Sequence, residues 1–408
     1  MMQAHIQTLI AKAQASQHLA LSFLFSSMDI VRPLRKLVHD LQLERGSTSL
    51  LLINHHADRY ATKVNSYRAQ FLADEAQFLT AVNQWQLKME QHALPSGVYV
   101  RLAHFLERLN HLQSLREQID TQTIQADQAI EAFSQIISAA LSFVFELAEQ
   151  ALDAEIARAM LALFNFMQAK ELAGQERALG VVALGLSEPN KLATLTDAIK
   201  ARVDQQQQAF QLVRSFATSR QLDQLEQLKT RPYRADLDNW RKRIAQHCAS
   251  NTPASLPLAE GWFDLMTERI DGFQALEDDL ISYLQIISAK KMAVEDDRSL
   301  AEPIVEEIDS QIKTQVDEKV MRMKGVSHLL LAQLHDQAMQ LGTIEAELIV
   351  AKQTLLDRRF IERAKAVLMI EHKYSEQQAH QFLRDQAMKT GMKMVDLAKR
   401  LLKQTEKL

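Results

Sequence analysis

The chain has 408 residues, with 47 Lys and Arg against 51 Asp and Glu for a formal net charge of −4 at pH 7, and its 47% apolar content is ample for the cores of two or three domains. Only 10 Gly and 7 Pro leave too few turn formers for an all-β protein, so the expected class is all-α. The single cysteine, Cys248, excludes an internal disulfide and a zinc cluster and fits a reducing cytoplasm.

Taken in order, residues 20–25 are too short an apolar run for a signal peptide, and Asp29, Arg32 and Arg35 soon interrupt them. No stretch of 18 uncharged residues is present to span a membrane; the run beginning at Ala139 comes closest and is ended by Glu146 and Glu149. A soluble, cytoplasmic protein with no membrane partner is expected. From about Met28 the pattern is helical, with Leu34, Val38, Leu41, Arg45, Thr48 and Leu52 on one stripe. Arg45 therefore stands where the core wants an apolar side chain. Burying a guanidinium alone is costly, so it must meet either a structural carboxylate or an exogenous anion.

A second such place lies at residues 160–186, a helix apolar over most of its circumference and hence central. Arg177 is flanked there by Ala173, Gly180, Val181 and Leu184, small and aliphatic neighbours that leave room beside the guanidinium. Its alternatives are the same, a buried ion pair (Glu171 is the nearest candidate) or an anion. The helix should stop at 187–190, where Pro189 favours a fresh start. Leu43-Glu44-Arg45-Gly46 echoes Gln175-Glu176-Arg177-Ala178, which points to two related helical bundles, each donating one inward arginine.

The residues Gln42, Glu44, Arg45 and Gly46, and the longer run Lys170-Glu171-x-Ala173-Gly174-Gln175-Glu176-Arg177-Ala178-x-Gly180, resemble the NIT family, the nitrate- and nitrite-sensing module. The resemblance spans roughly residues 30–300 and implies a pair of four-helix bundles with nitrate or nitrite as signal ligand. The chemistry is consistent with that. Nitrate is a planar, weakly hydrated monoanion, and arginine offers a planar, permanently charged fork of donors. Arg45 and Arg177 are the expected ligands, joined by a third arginine from 238–244, for which Arg241 is preferred to Arg243. No other cofactor is expected.

His55, His56 and His104 have no partner at metal-ligand spacing, and no phosphate loop or nucleophile–base arrangement stands out, so no enzyme is expected. Residues 250–260 form the clearest loop, within the sensor. Residues 304–355 then follow one long helical pattern. Leu334, Leu341, Leu348 and Leu355 recur every seven residues, the signature of either a short coiled-coil seam or a helix packed on its own sensor.

The last segment, 356–408, differs in charge, with 12 Lys and Arg against 7 Asp and Glu, whereas the rest of the chain is net −9. It reads as three helices: one through Phe360, Ile361, Ala364, Val367 and Leu368, one opened by Ser375 with Gln378 as a capping box and ending near Gly391, and one through Met394, Leu397, Ala398, Leu401 and Leu402. A basic three-helix bundle on an acidic protein favours a polyanion. The residues Arg359, Ile361, Glu362, Ala364, Lys365, Leu368, Met369, Ser375, Glu376, Ala379, Leu383, Arg384, Ala387, Met388, Leu397 and Ala398 resemble the ANTAR family, with Ala366 where members often have glycine. That resemblance implies binding to paired hairpins of a leader mRNA, preventing a terminator from forming.

The two resemblances imply a sensor at 1–303, a helical linker at 304–355, and an RNA-binding bundle at 356–408. Together they describe a nitrate- or nitrite-responsive transcription antitermination regulator; a homodimer is the expected form. Expected RNA contacts, chosen by charge and helix-face exposure, are Lys365, Arg384, Lys393, Lys399 and Arg400, with Tyr374 or His380 available for stacking. Two alternatives stay open. One is an anion-sensing DNA-binding regulator, against which the third helix is short and poor in base-reading residues. The other is a helical scaffold for a protein partner.

Overall fold

The computed structural model describes residues 2–53, 58–89, 95–151, 153–186, 189–230, 233–250, 254–300, 364–365, 368, 376–390 and 394–395. Among the described residues every regular element is an α-helix, in keeping with the all-α composition. The chain divides into two units, Met1–Pro303 and Ile304–Leu408.

The first unit runs α1 (Met2–Ile53), α2 (Asp58–Met89), α3 (Ser96–Asn110), α4 (Leu112–Asp120), α5 (Ala126–Glu149), α6 (Ala154–Gly185), α7 (Pro189–Phe216), α8 (Ser219–Thr230), α9 (Tyr233–Ser250), α10 (Leu256–Asp271) and α11 (Gln274–Leu300). Helix α6 is the hub. Its apolar residues, among them Met160, Leu163, Phe166, Ala173, Val181 and Leu184, are buried around the whole circumference. A helix of that kind must be surrounded, and α1, α5, α7, α10 and α11 all pack on it. Helix α1 is the second organiser, packed on α2, α5, α6 and α11. Every member of its predicted stripe, Leu34, Val38, Leu41, Arg45, Thr48 and Leu52, is buried.

Local signals set the boundaries. Asp153 caps α6 by accepting from the backbone N–H groups of Glu155 and Ile156 at 2.9 and 3.1 Å. Helix α6 ends at Gly185 and α7 opens on Pro189, as the sequence requires. The expected loop over 250–260 needs correcting. Helix α10 already begins at Leu256 because Pro257 occupies its first turn, where a missing N–H breaks no helical bond. Helix α5 is long and apolar enough to cross a membrane by composition, yet most of its apolar stretch is buried inside the protein. Its apolarity is used against α1, α3 and α6. Two aromatic clusters mark the core: Phe78 against Phe105 at 5.7 Å, and Phe166, Phe210 and Phe273 edge to face at 5.7–6.2 Å.

In the second unit, helical turns at Ala364, Lys365 and Leu368 are followed by α12 (Glu376–Thr390), then Met394 and Val395. Ala364, Leu368 and Leu383 are buried, as their apolar spacing predicts. The seam at 304–355, the cap at Ser375 and the third helix beyond Val395 lie outside the described residues.

Candidate anion-binding site and nucleic-acid surface

The close approach of α1 and α6 is made at two glycines. A Cβ at Gly174 would stand 2.5 Å from Arg45 Nη2, and a Cβ at Gly46 would stand 2.7 Å from Arg177 Nε. Each guanidinium thus lies across the backbone of the facing helix where a side chain is missing. Both arginines are 0% exposed.

Their partners differ. Arg45 donates from Nη1 to Glu171 Oε1 at 2.5 Å and to Ser134 Oγ at 2.8 Å, and from Nη2 to Glu171 Oε2 at 3.1 Å. Glu171 also accepts from Gln42 Nε2 at 3.0 Å and Gln175 Nε2 at 2.8 Å, so four donors surround one carboxylate. The glutamate considered as a partner for Arg177 therefore belongs to Arg45. Arg177 donates to Thr267 Oγ1 at 3.0 Å and to the Gln42 carbonyl at 2.5 Å, and its guanidinium lies 5.2 Å from the centre of the Phe263 ring. Its Nε has no hydrogen-bond partner, and no carboxylate stands within ion-pair distance among the described residues. Burial, reinforced by the charge of Arg45, pushes the Arg177 pKa down to about 10, so it remains a cation at neutral pH.

Arg241, on α9, is 20% exposed and engages Glu176, with Nε on Oε1 at 2.7 Å and Nη2 on Oε2 at 2.9 Å. Glu176 Oε2 also accepts from Gln206 at 2.7 Å and Arg269 at 3.4 Å. Burial pushes the Glu176 carboxyl up, but Arg241, Arg269 and Gln206 outweigh it and hold the group below its ordinary value. The structure thus brings Arg45 and Arg177 together at the α1–α6 crossing and gives Arg241 to the residue before Arg177, with no contact to either. Arg243 is exposed and stacks 5.4 Å from the Trp240 ring.

Beside the crossing, Lys170 donates to Glu277 at 2.6 Å, a pair 1% exposed at both ends that ties α6 to α11. His39 contacts Gln274 Nε2 at 2.6 Å, and burial together with Lys170, Arg177 and Arg35 lowers its pKa to about 2, so it is neutral. No group of His, Cys, Asp and Glu suited to a metal occurs among the described residues.

In the second unit Arg384 and His380 are exposed on α12. Lys365 is 5% exposed, which corrects the expectation that it presents its charge to solvent: it shares a turn with buried Ala364 and Leu368. Lys393, Lys399, Arg400 and Tyr374 lie outside the described residues.

The model of the nitrate and nitrite sensing family, NIT, matches residues 36–285, which include all three arginines. The chain belongs to the NIT family. The ANTAR domain model matches residues 350–402. The "Nitrate regulatory protein" of Klebsiella oxytoca is 31% identical over 397 residues, covering 96% of this chain and 93% of that protein. The solved structure of the NasR transcription antiterminator superposes with a TM-score of 0.65 at 26% identity, covering 99% of this chain and 100% of that one.

The NIT region also contains site residues that sequence reasoning missed. Glu44 accepts from Arg116 at 2.7 and 2.9 Å and from Arg68 at 2.9 Å. Glu176 likewise holds two arginines. In each Glu-Arg echo the glutamate fastens neighbouring helices while the arginine turns into the α1–α6 crossing. The repeated Glu was visible in the sequence and marked this division of labour.

Proposed function

We propose that this chain is a nitrate- or nitrite-responsive regulator of transcription antitermination, with the anion held between Arg45 and Arg177 at the α1–α6 crossing. One observation carries the site: Arg177 is a wholly buried cation without a carboxylate at ion-pair distance among the described residues. An unpaired buried charge is costly, and a small anion bonded to its Nε removes that penalty. A planar oxyanion also suits the guanidinium fork. Family membership, the "Nitrate regulatory protein" relative and the NasR antiterminator support the signal and the output together. Arg241 enters this reading as a positioning group, through Glu176, rather than as a direct ligand.

The ANTAR match supports RNA as the output partner. The RNA face we propose comprises Arg384 with Lys393, Lys399 and Arg400, while buried Lys365 is left out. Paired leader hairpins as the target, a homodimer as the active form, a cytoplasmic location and the absence of catalysis belong to the same reading. Anion binding acts by favouring one arrangement of helices leading towards residue 304, since only differential affinity shifts a conformational equilibrium.

The test is thermal unfolding across a nitrate titration, with chloride at equal ionic strength as control, followed by RNA binding with and without nitrate. A native-state ligand raises stability with the logarithm of its concentration above Kd. A nitrate-specific rise that disappears in Arg177→Ala, together with nitrate-dependent hairpin binding, is expected. No rise at millimolar nitrate, or tighter binding to duplex DNA than to hairpin RNA, would reject the reading.

A further inference from the structure

Around the α1–α6 crossing the buried charges do not cancel. Two wholly buried guanidiniums, Arg45 and Arg177, face one carboxylate, Glu171. Among the described residues the other buried carboxylates are committed elsewhere: Glu44 to Arg68 and Arg116, Glu176 to Arg241 and Arg269, Glu277 to Lys170 and Arg35, and Asp40, whose pKa burial raises to about 8, to Gln70. Asp271, solvent-exposed and outside ion-pair distance, acts on Arg177 from further away, and partly exposed Arg202, bonded to Gln175 beside Glu171, carries the opposite charge, so the two offset each other. Neutral groups complete the surroundings: Ser134, Gln42, Gln175 and Thr267, with Tyr67, whose pKa burial raises, and His39, whose pKa burial lowers. Among the described residues the cluster is therefore one negative charge short of balance.

We propose that Glu171 sets the valence of the anion this protein accepts. With Glu171 ionised the cluster is +1, so a singly charged oxyanion brings it to neutrality. A doubly charged one would leave a net negative charge buried where water cannot screen it. Glu171 is thereby a specificity-determining residue that admits monoanions and rejects dianions such as sulfate, without touching the ligand itself. Its four hydrogen-bond donors hold it in place beside Arg45.

This assignment rests on the anion reading above, and calorimetric titration of the full chain with sodium nitrate and sodium sulfate at matched ionic strength separates the two. The unmodified chain is expected to show saturable nitrate binding and no saturable sulfate binding. Glu171→Gln, nearly isosteric, raises the cluster to +2 and should improve sulfate affinity relative to nitrate by at least about tenfold. Ser134 Oγ accepts from Arg45 Nη1 at 2.8 Å, so Ser134→Asp sets a carboxylate beside the same guanidinium and brings the cluster to zero. Nitrate affinity should then fall by at least about tenfold. Combining the two substitutions restores the original charge and the preference for nitrate. An unchanged nitrate-to-sulfate ratio in Glu171→Gln overturns the assignment. So does unchanged nitrate affinity in Ser134→Asp, which decides the matter even where Glu171→Gln does not fold. Lack of nitrate binding by the unmodified chain removes the anion reading, and this assignment with it.

Discussion

Arg177 lies so close to Gly46 on the facing helix that a methyl group on that glycine would sit 2.7 Å from Nε. Both groups are buried, and Arg177 is fixed at its other end by Thr267 and the Gln42 carbonyl, so it has little room to retreat. The geometry makes Gly46 a gauge of whether the guanidinium must stay where it is.

Gly46→Ala should therefore shift Arg177 and weaken the response to nitrate. Alanine gains about 1 kcal/mol of helix propensity over glycine, while overpacking a buried contact costs about 1–3 kcal/mol. A net loss of about 1 kcal/mol in urea unfolding is expected, with a nitrate-induced rise in Tm at least halved. An unaltered rise would mean that the position of Arg177 is immaterial to binding.

Arg45 and Glu171 should behave as a unit. Removing either partner strands a buried charge, and Arg45→Met alone or Glu171→Leu alone should cost about 3–5 kcal/mol. The double variant should lose clearly less than the sum, because neither charge is left behind. Additive losses in chemical denaturation would show that the pair is not coupled.

How far the sequence could go is clear from these same residues. Helical period placed Arg45 on the buried stripe of α1 and Arg177 inside the apolar α6, because that information is local. Their partners were out of reach. Glu171 is 126 residues from Arg45 in sequence, and nothing in helical period says which of two nearby arginines a carboxylate will meet. The same gap explains Arg241: its charge and neighbourhood were legible, but its commitment to Glu176 depends on the packing of α9 on α6. The exposure expected of Lys365 was misjudged for another reason. Its charge suggested an exposed face, yet neighbouring Ala364 and nearby Leu368 are themselves core positions, and a lysine stem can be buried alongside them.

Asp40 gives stability a pH dependence of known sign. It is buried, accepts from Gln70 Nε2 at 3.0 Å, and its pKa is raised to about 8 by burial and by the neighbouring Asp74 carboxylate. The folded state thus holds a proton that the unfolded chain releases near pH 4, so this contribution is full below pH 4 and is lost as pH rises through about 8. Asp40→Asn, which cannot ionise, should gain at least about 1 kcal/mol over the unmodified protein between pH 5 and pH 8. Parallel stability–pH curves would contradict the assignment.

Lys170 and Glu277 link the helix that carries Arg177 to α11, the last described helix of the first unit. Lys170→Met with Glu277→Leu replaces a buried pair by apolar groups of similar size; Arg35, which also approaches Glu277 at 3.6 Å, keeps Asp278 at 2.9 Å, so stability should stay within about 2 kcal/mol. If the pair carries the signal, nitrate should still raise Tm in this variant while hairpin affinity no longer changes with nitrate. Retained nitrate dependence of RNA binding would place the coupling elsewhere.

Arg384 tests the output side by itself. It is exposed on α12, while Lys365 is buried, so the two should respond differently to removal of charge. A cation that neutralises one phosphate contributes a nearly sequence-independent share of affinity and about one unit of the slope of log K against log salt. Arg384→Ala should weaken hairpin binding several-fold at about 0.1 M salt, lower that slope by about 0.7–0.9, and leave the nitrate-induced rise in Tm intact. Lys365→Met should leave the slope unchanged. A slope that falls with Lys365→Met and holds with Arg384→Ala would move the RNA to another face of the helix.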